Sequence, residues 1–253
     1  MPTRRWWTFA SKDSDVALTE RNFSTGQGRL THGPQAGALV ERTLEFVRSE
    51  LPIWRDRADR RPESAEEKLN AQLCKHLNSA ARRDLPAVQF HHEEKQTKGR
   101  RVDISAGLSE GGFIGTTYHS IDEPFIVFEG KRLPSPGGKL REREYVTGGE
   151  ARTGGMQRFK LALHGADVAT AVMIGYIQKG TVSQWQERIN RWIGDLADSL
   201  PLGEERWTRE EQLEGFTPDQ TLRIAIASSL HDRAGSFSGT IRVMHYWVEM
   251  TRH

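Results

Sequence analysis

Glu-x-Lys is a spacing that lets a carboxylate and an ammonium act on one side of an extended chain. It occurs three times, at Glu66/Lys68, Glu93/Lys95 and Glu129/Lys131. Only the surroundings separate them. Glu66/Lys68 falls on a predicted helix, where residues two apart do not face one another. Glu93/Lys95 falls in a polar turn, where water satisfies both charges. Glu129 and Lys131 instead close the run Phe125-Ile126-Val127-Phe128-Glu129-Gly130-Lys131. Strand side chains alternate, so both charged groups project from one face at the end of a buried run. Burying a carboxylate is costly unless a cation or hydrogen bonds offset it. A salt bridge to Lys131 can do that, and so can a metal ion.

A second carboxylate favours the metal. Asp103 stands in Arg101-Val102-Asp103-Ile104, flanked by apolar residues on a strand able to pair with the Glu129 strand. Asp103 and Glu129, with the backbone carbonyl of Gly130, offer the hard oxygen ligands that Mg²⁺ (or Mn²⁺) prefers. Lys131 would then lie where it can orient an attacking water or support charge developing on a phosphoryl oxygen.

The elements that must hold these residues follow from periodicity. Leu39, Val40, Leu44 and Val47 have helical spacing, which predicts a helix over 36–51 ending at Pro52, with 55–62 as a connector. Ser64 and Glu67 have the spacing of a capping box and open a second helix to about Arg82, with the stripe Leu69, Leu73, Leu77 and Ala80. Residues 88–92 and 101–106 read as a hairpin, followed by a Gly-rich connection and the buried strand at 125–128. A helix at 155–164, a buried strand at 169–177 and a Trp-striped helix from Val182 come next. Alternation at Leu222, Ile224 and Ile226, and at Ile241, Val243, His245 and Trp247, predicts a closing antiparallel pair. The predicted fold class is α/β, a mixed β-sheet flanked by α-helices. Residues 1–63 read as an N-terminal arm and helix, and 64–253 as the main domain.

This order resembles the PD-(D/E)xK nuclease superfamily, in which a helix, a hairpin carrying Asp and a strand carrying Glu-x-Lys follow one another. The resemblance covers roughly residues 64–180 and rests on Asp103, Glu129, Gly130 and Lys131. Val102 stands where the Pro of the family's name would be. The resemblance implies a restriction-endonuclease-like fold and Mg²⁺- or Mn²⁺-dependent hydrolysis of nucleic-acid phosphodiesters, DNA before RNA. It also brings in a bacterial restriction or anti-phage setting, and a homodimer or a partner subunit of a larger system. Such families often add an acid on the first helix. At 100° per residue Glu66 lies on the Leu69/Leu73/Leu77 face, whereas Glu67 is rotated off it, so Glu66 is the expected fourth catalytic residue. Gln157 and Arg158, on the helix after the strand, are candidates for phosphate contact, with a solvated helix end as the alternative. His231 and Arg233, at the end of a predicted strand, are candidate substrate contacts, with a hydrogen-bonded turn as the alternative. Two rival readings stay open: a nuclease-like fold kept as a non-catalytic nucleic-acid-binding subunit, and a plain ion pair in an unrelated α/β domain.

Composition sets the outer bounds. The chain has 253 residues, 36% of them apolar, with 7 Trp and 10 Phe, too much large apolar surface for a disordered body. A formal net charge of +2 does not by itself announce a nucleic-acid binder. Two local groups could still neutralise phosphates: Lys95, Lys98, Arg100 and Arg101, then Lys131, Arg132, Lys139, Arg141 and Arg143. The longest nearly apolar stretch, 168–177, is half the ~20 residues of a membrane helix. The single cysteine, Cys74, leaves no internal disulfide, and a cytoplasmic location is expected.

Overall fold

The computed structural model describes residues 36–95, 101–138, 141–199, 205–234 and 239–250. Two helices come first, α1 (Ala36–Asp56) and α2 (Glu66–Asp84). The hairpin β1 (Val88–Lys95) and β2 (Arg101–Leu108) follows, then the small hairpin β3 (Gly112–Ile114) and β4 (Thr117–His119). The rest is β5 (Pro124–Leu133), α3 (Gly155–Lys160), β6 (Thr170–Ile177), α4 (Val182–Asp198), β7 (Glu214–Asp219), β8 (Ile224–Asp232) and β9 (Thr240–Glu249). Seven strands form one mixed sheet in the order β1-β2-β5-β6-β9-β8-β7, with β5, β6 and β9 parallel and the other pairings antiparallel.

Alternation along β5 feeds two cores. Ile126 and Phe128 enter the core beneath α1 and α2, while Val127 enters the one beneath α3 and α4. The central strands are therefore covered on both faces, as their unbroken apolar runs predict. The Trp stripe of α4 is core, with Trp185 and Trp192 packed edge to face.

Three sequence expectations change. The first helix passes through Pro52 to Asp56, because Trp54 and Arg55 are both buried and find partners beyond it. Trp54 packs on Tyr176, and Arg55 donates to the carbonyls of Leu222 and Arg223. This helix shares its core with α2 and the sheet, so no separate core marks a boundary at residue 63. The arm at 1–35 lies outside the described residues. Third, Ser64 does not cap α2: the Glu63 carboxylate accepts the N–H groups of Ser64 and Ala65, and the Ser64 carbonyl accepts from Arg132 and Gln178. Strands β3, β4 and β7 have no counterpart among the predicted elements.

Helix α2 is tied to the sheet at three levels. Asn78 bonds both the N–H and the C=O of Phe90 on the edge strand, at 2.9 and 2.6 Å. Asn70 accepts from the buried Tyr176 hydroxyl at 2.7 Å, and Glu66 reaches β5. These ties fix the helix phase that presents Glu66 rather than Glu67, which is exposed.

Candidate active site

The site occupies an opening in the sheet. Strand β2 stays paired with β1 to Arg101, but its register with β5 ends where Ile104 faces Phe128. Asp103, just past that point, uses its carboxylate in place of the lost ladder and accepts the Gly130 N–H at 2.8 Å. A residue's N–H and C=O point the same way from a strand, so the Gly130 carbonyl faces the same opening.

Glu129 and Lys131 project together, as the two-residue period requires, with Lys131 Nζ 3.0 Å from Glu129 Oε1. Lys131 Nζ also donates to Glu66 Oε1 at 2.7 Å, and Glu66 Oε2 accepts the Arg132 N–H at 3.1 Å. From the crossover after β5, Arg158 Nη1 comes within 2.5 Å of Glu129 Oε1. His164 Nδ1 lies 3.2 Å from Glu129 Oε2. Four sequence-predicted residues, Glu66, Asp103, Glu129 and Lys131, thus converge from α2, β2 and β5, with Arg158 joining from α3.

The electrostatics are polarised. Burial alone would push the Glu129 carboxyl up, but Lys131, His164 and Arg158 outweigh it and hold the carboxyl well below the ordinary range. Burial likewise opposes the Lys131 charge, yet Glu129, Glu66 and Asp103 raise its pKa above the usual lysine value. At Asp103 the Lys131 ammonium and the Gly130 N–H do not offset burial. Burial first, and the Glu129 carboxylate second, push its pKa up to about 8.

Compared with protein-family models, curated proteins and solved structures, the chain matches none. The reading of the site therefore rests on its own chemistry. Among the described residues no three or more His, Cys, Asp or Glu side chains form a ready-made metal cage. Two carboxylates and a carbonyl nevertheless suit Mg²⁺, which keeps most of its waters and takes few protein ligands. The donor set would fit such an ion at Asp103, whose carboxyl keeps its proton up to about pH 8 and would release it to a bound cation.

Other candidates lie elsewhere. Gln157 is 1% exposed and spends its amide on the 148–154 loop and Glu205, accepting from Gly148 and Gly154 and donating to Gly149 and Glu205. It is a loop brace, not a phosphate contact. His231 is fully buried and faces internal partners rather than the Glu129 opening. It belongs to a second polar network in which Ser229 Oγ lies 2.7 Å from His231 Nε2 and 2.8 Å from His245 Nε2. Tyr145 meets His245 at 2.9 Å, and Glu211 sits between His231 and Lys160. Arg233 donates to the carbonyls of Gly165 and Val168 at 2.8 and 2.6 Å, pinning the loop before β6. Of the basic groups, Lys98, Arg100 and Lys139 lie outside the described residues.

Sequence reasoning missed Asn70 and His164. A Cβ on Gly130 would stand 2.0 Å from Asn70 Oδ1, so the missing side chain lets α2 approach β5. Asn70 stands four residues after Glu66, a polar residue inside an apolar stripe, and that position was its available signal. His164 has no periodic signal, because it lies in the turn after α3.

Proposed function

We propose that the chain has a restriction-endonuclease-like fold and is a PD-(D/E)xK-type nuclease that hydrolyses phosphodiesters, DNA in preference to RNA, with Mg²⁺ or Mn²⁺. The convergence of Glu66, Asp103, Glu129 and Lys131 at the end of the β2–β5 ladder carries this reading. Asp103, Glu129 and the Gly130 carbonyl would hold the ion, which when bound supplies Lewis-acid polarisation of the phosphoryl group. Lys131 supplies the rest. An ammonium has three donors; one goes to Glu66, and the Glu129 carboxylate lies 3.0 Å away as an ion-pair partner, which leaves a donor for the reacting groups. That donor can hold the attacking water in line or bind a non-bridging oxygen as its charge grows. Glu66 positions Lys131 and does not touch the reacting atoms in this scheme. A soluble cytoplasmic protein acting alone or as a dimer or subunit suits this chemistry, and no helix among the described residues is long and apolar enough to cross a membrane.

A second reading has one observation in its favour. Glu129 already has Lys131, Arg158 and His164 around it, which is what a structural ion cluster would show. Cleavage of labelled DNA and RNA in Mn²⁺, with Mn²⁺ binding measured in parallel, separates the two. The nuclease reading expects Asp103→Ala and Glu129→Ala to abolish cleavage, and Lys131→Met to abolish cleavage while Mn²⁺ still binds. Absence of cleavage by the unmodified protein, or full activity in either acid variant, refutes it.

A further inference from the structure

Arg158 is the part of this site that a metal-dependent hydrolase does not require in the position it takes. Its Nη1 sits 2.5 Å from Glu129 Oε1, an oxygen that the proposed ion would need. A cation held there repels a second one. Lys131 lies 3.0 Å from the same oxygen, but it is buried, anchored from both sides by Glu66 and Glu129, and has a role in the chemistry. Arg158 is held differently. Its side chain is 23% exposed, and Glu129 is the one side-chain partner that pairs with it among the described residues. Its Nε is buried with no hydrogen-bond partner among the described residues. A guanidinium has five donors in a planar fork that matches phosphate bidentately, so among the described residues most of this fork is uncommitted on a side chain that is part-exposed.

We propose that Arg158 is a substrate-operated latch on Glu129. In the free protein it covers the carboxylate and disfavours the divalent ion. When a nucleic-acid phosphate arrives, the guanidinium fork exchanges one carboxylate contact for two phosphate contacts and leaves Glu129 Oε1 to the ion. Metal and substrate then bind with positive coupling, and the coupling is reciprocal. The free chain holds metal weakly, so the hydrolytic site is assembled only on nucleic acid. This rests on the nuclease reading of the same residues and adds to it the order in which the site is loaded.

The test is a Mn²⁺ titration of the full chain, followed by the loss of the free-ion paramagnetic resonance signal, with and without a phosphorothioate-linked DNA that resists cleavage. Arg158→Met and Arg158→Gln are compared with the unmodified protein, and thermal melting verifies that each is folded. Two neutral replacements guard against one that fails to fold. In the unmodified protein, DNA should tighten Mn²⁺ binding about tenfold or more. In both variants, DNA-free Mn²⁺ affinity should already be raised by about that factor, with most of the coupling gone. Unchanged or weaker DNA-free Mn²⁺ binding in a folded variant, alongside cleavage by the unmodified protein, overturns the latch and leaves the nuclease reading standing. No cleavage and no Asp103-dependent Mn²⁺ binding in the unmodified protein removes the nuclease reading and the latch with it.

Discussion

Asp103→Asn should stabilise the metal-free protein, and the gain should depend on pH. The carboxyl moves from an ordinary pKa of 3.8 to about 8 on folding, because it is buried beside the Glu129 carboxylate. An acid whose folded pKa is raised binds its proton more tightly when folded, so stability falls as pH rises from 3.8 and levels off above 8. At pH 7 that spans roughly 3 pH units at 1.36 kcal/mol each, an upper figure of ~4 kcal/mol. Asp103 is partly accessible to solvent, which screens the effect to about 2–4 kcal/mol. Asparagine keeps an oxygen for the Gly130 N–H and removes the charge. For a chain of this size the gain corresponds to a rise in Tm on the order of 10 °C.

Urea denaturation in EDTA between pH 4 and 9 measures this. The variant should match the unmodified protein near pH 4, diverge through neutrality and reach a constant advantage above pH 8. Glu129→Gln must run the other way, losing about 3 kcal/mol in EDTA, since it leaves Lys131 and Arg158 beside an uncharged partner. Mg²⁺ should stabilise the unmodified protein and not Asp103→Asn. A pH-independent difference, or a less stable Asp103→Asn protein at pH 7, refutes the assignment of Asp103 as a carboxyl whose pKa burial raises.

Three further expectations follow from particular contacts. Glu66→Gln should slow metal-dependent cleavage about 10- to 100-fold by loosening Lys131, while Glu67→Gln leaves the rate unchanged; single-turnover cleavage decides it. Gly130→Ala should cost about 1–3 kcal/mol because its Cβ meets Asn70, and Asn70→Ala in the same chain should recover part of that in a double-mutant denaturation cycle. Burial holds His245 well below 6.5 and His231 below it, so the unfolded chain binds more protons under about pH 6.5 and stability should fall with pH, His245 contributing up to ~1.4 kcal/mol per pH unit. Denaturation from pH 7 to 5 should show a shallower slope in His245→Gln.

What could be read from the sequence was whatever a local period encodes. The two-residue period put Glu129 and Lys131 on one face, and the helical period chose Glu66 over Glu67, because a buried stripe leaves the chain no freedom of phase. Strand β7 could not be read in the same way. Its sequence, Glu-Gly-Phe-Thr-Pro-Asp, carries Gly and Pro on a sheet edge and has no apolar alternation. Pro52 misled because a proline removes one helical bond, a loss that the burial of Trp54 and Arg55 outweighs.

The site itself divides along the same line, and its division says why its chemistry was half legible. Asp103, Glu129 and Lys131 sit where a strand pattern breaks from apolar to charged, so each contradicts its own neighbourhood and invites a functional explanation. Arg158, His164 and Gln157 instead lie on or just after a six-residue helix whose rotation is set by the crossover from β5 to β6. A short helix carries too few turns to declare a face. Gln157 and Arg158, adjacent in the chain, accordingly looked alike, yet one braces a loop and the other lies on the central carboxylate. His231 shows the converse error. Polar residues at a strand end suggest a surface, but β8 is covered by Trp207 and the Glu211 turn, so the same residues build a buried network. The partners of Glu129 come from its own strand β5, from α3 and from the turn that follows α3, converging on a carboxylate with no solvent contact. Such convergence stabilises the fold only while each partner stays, and Arg158, the most exposed of the three, is the one that can leave.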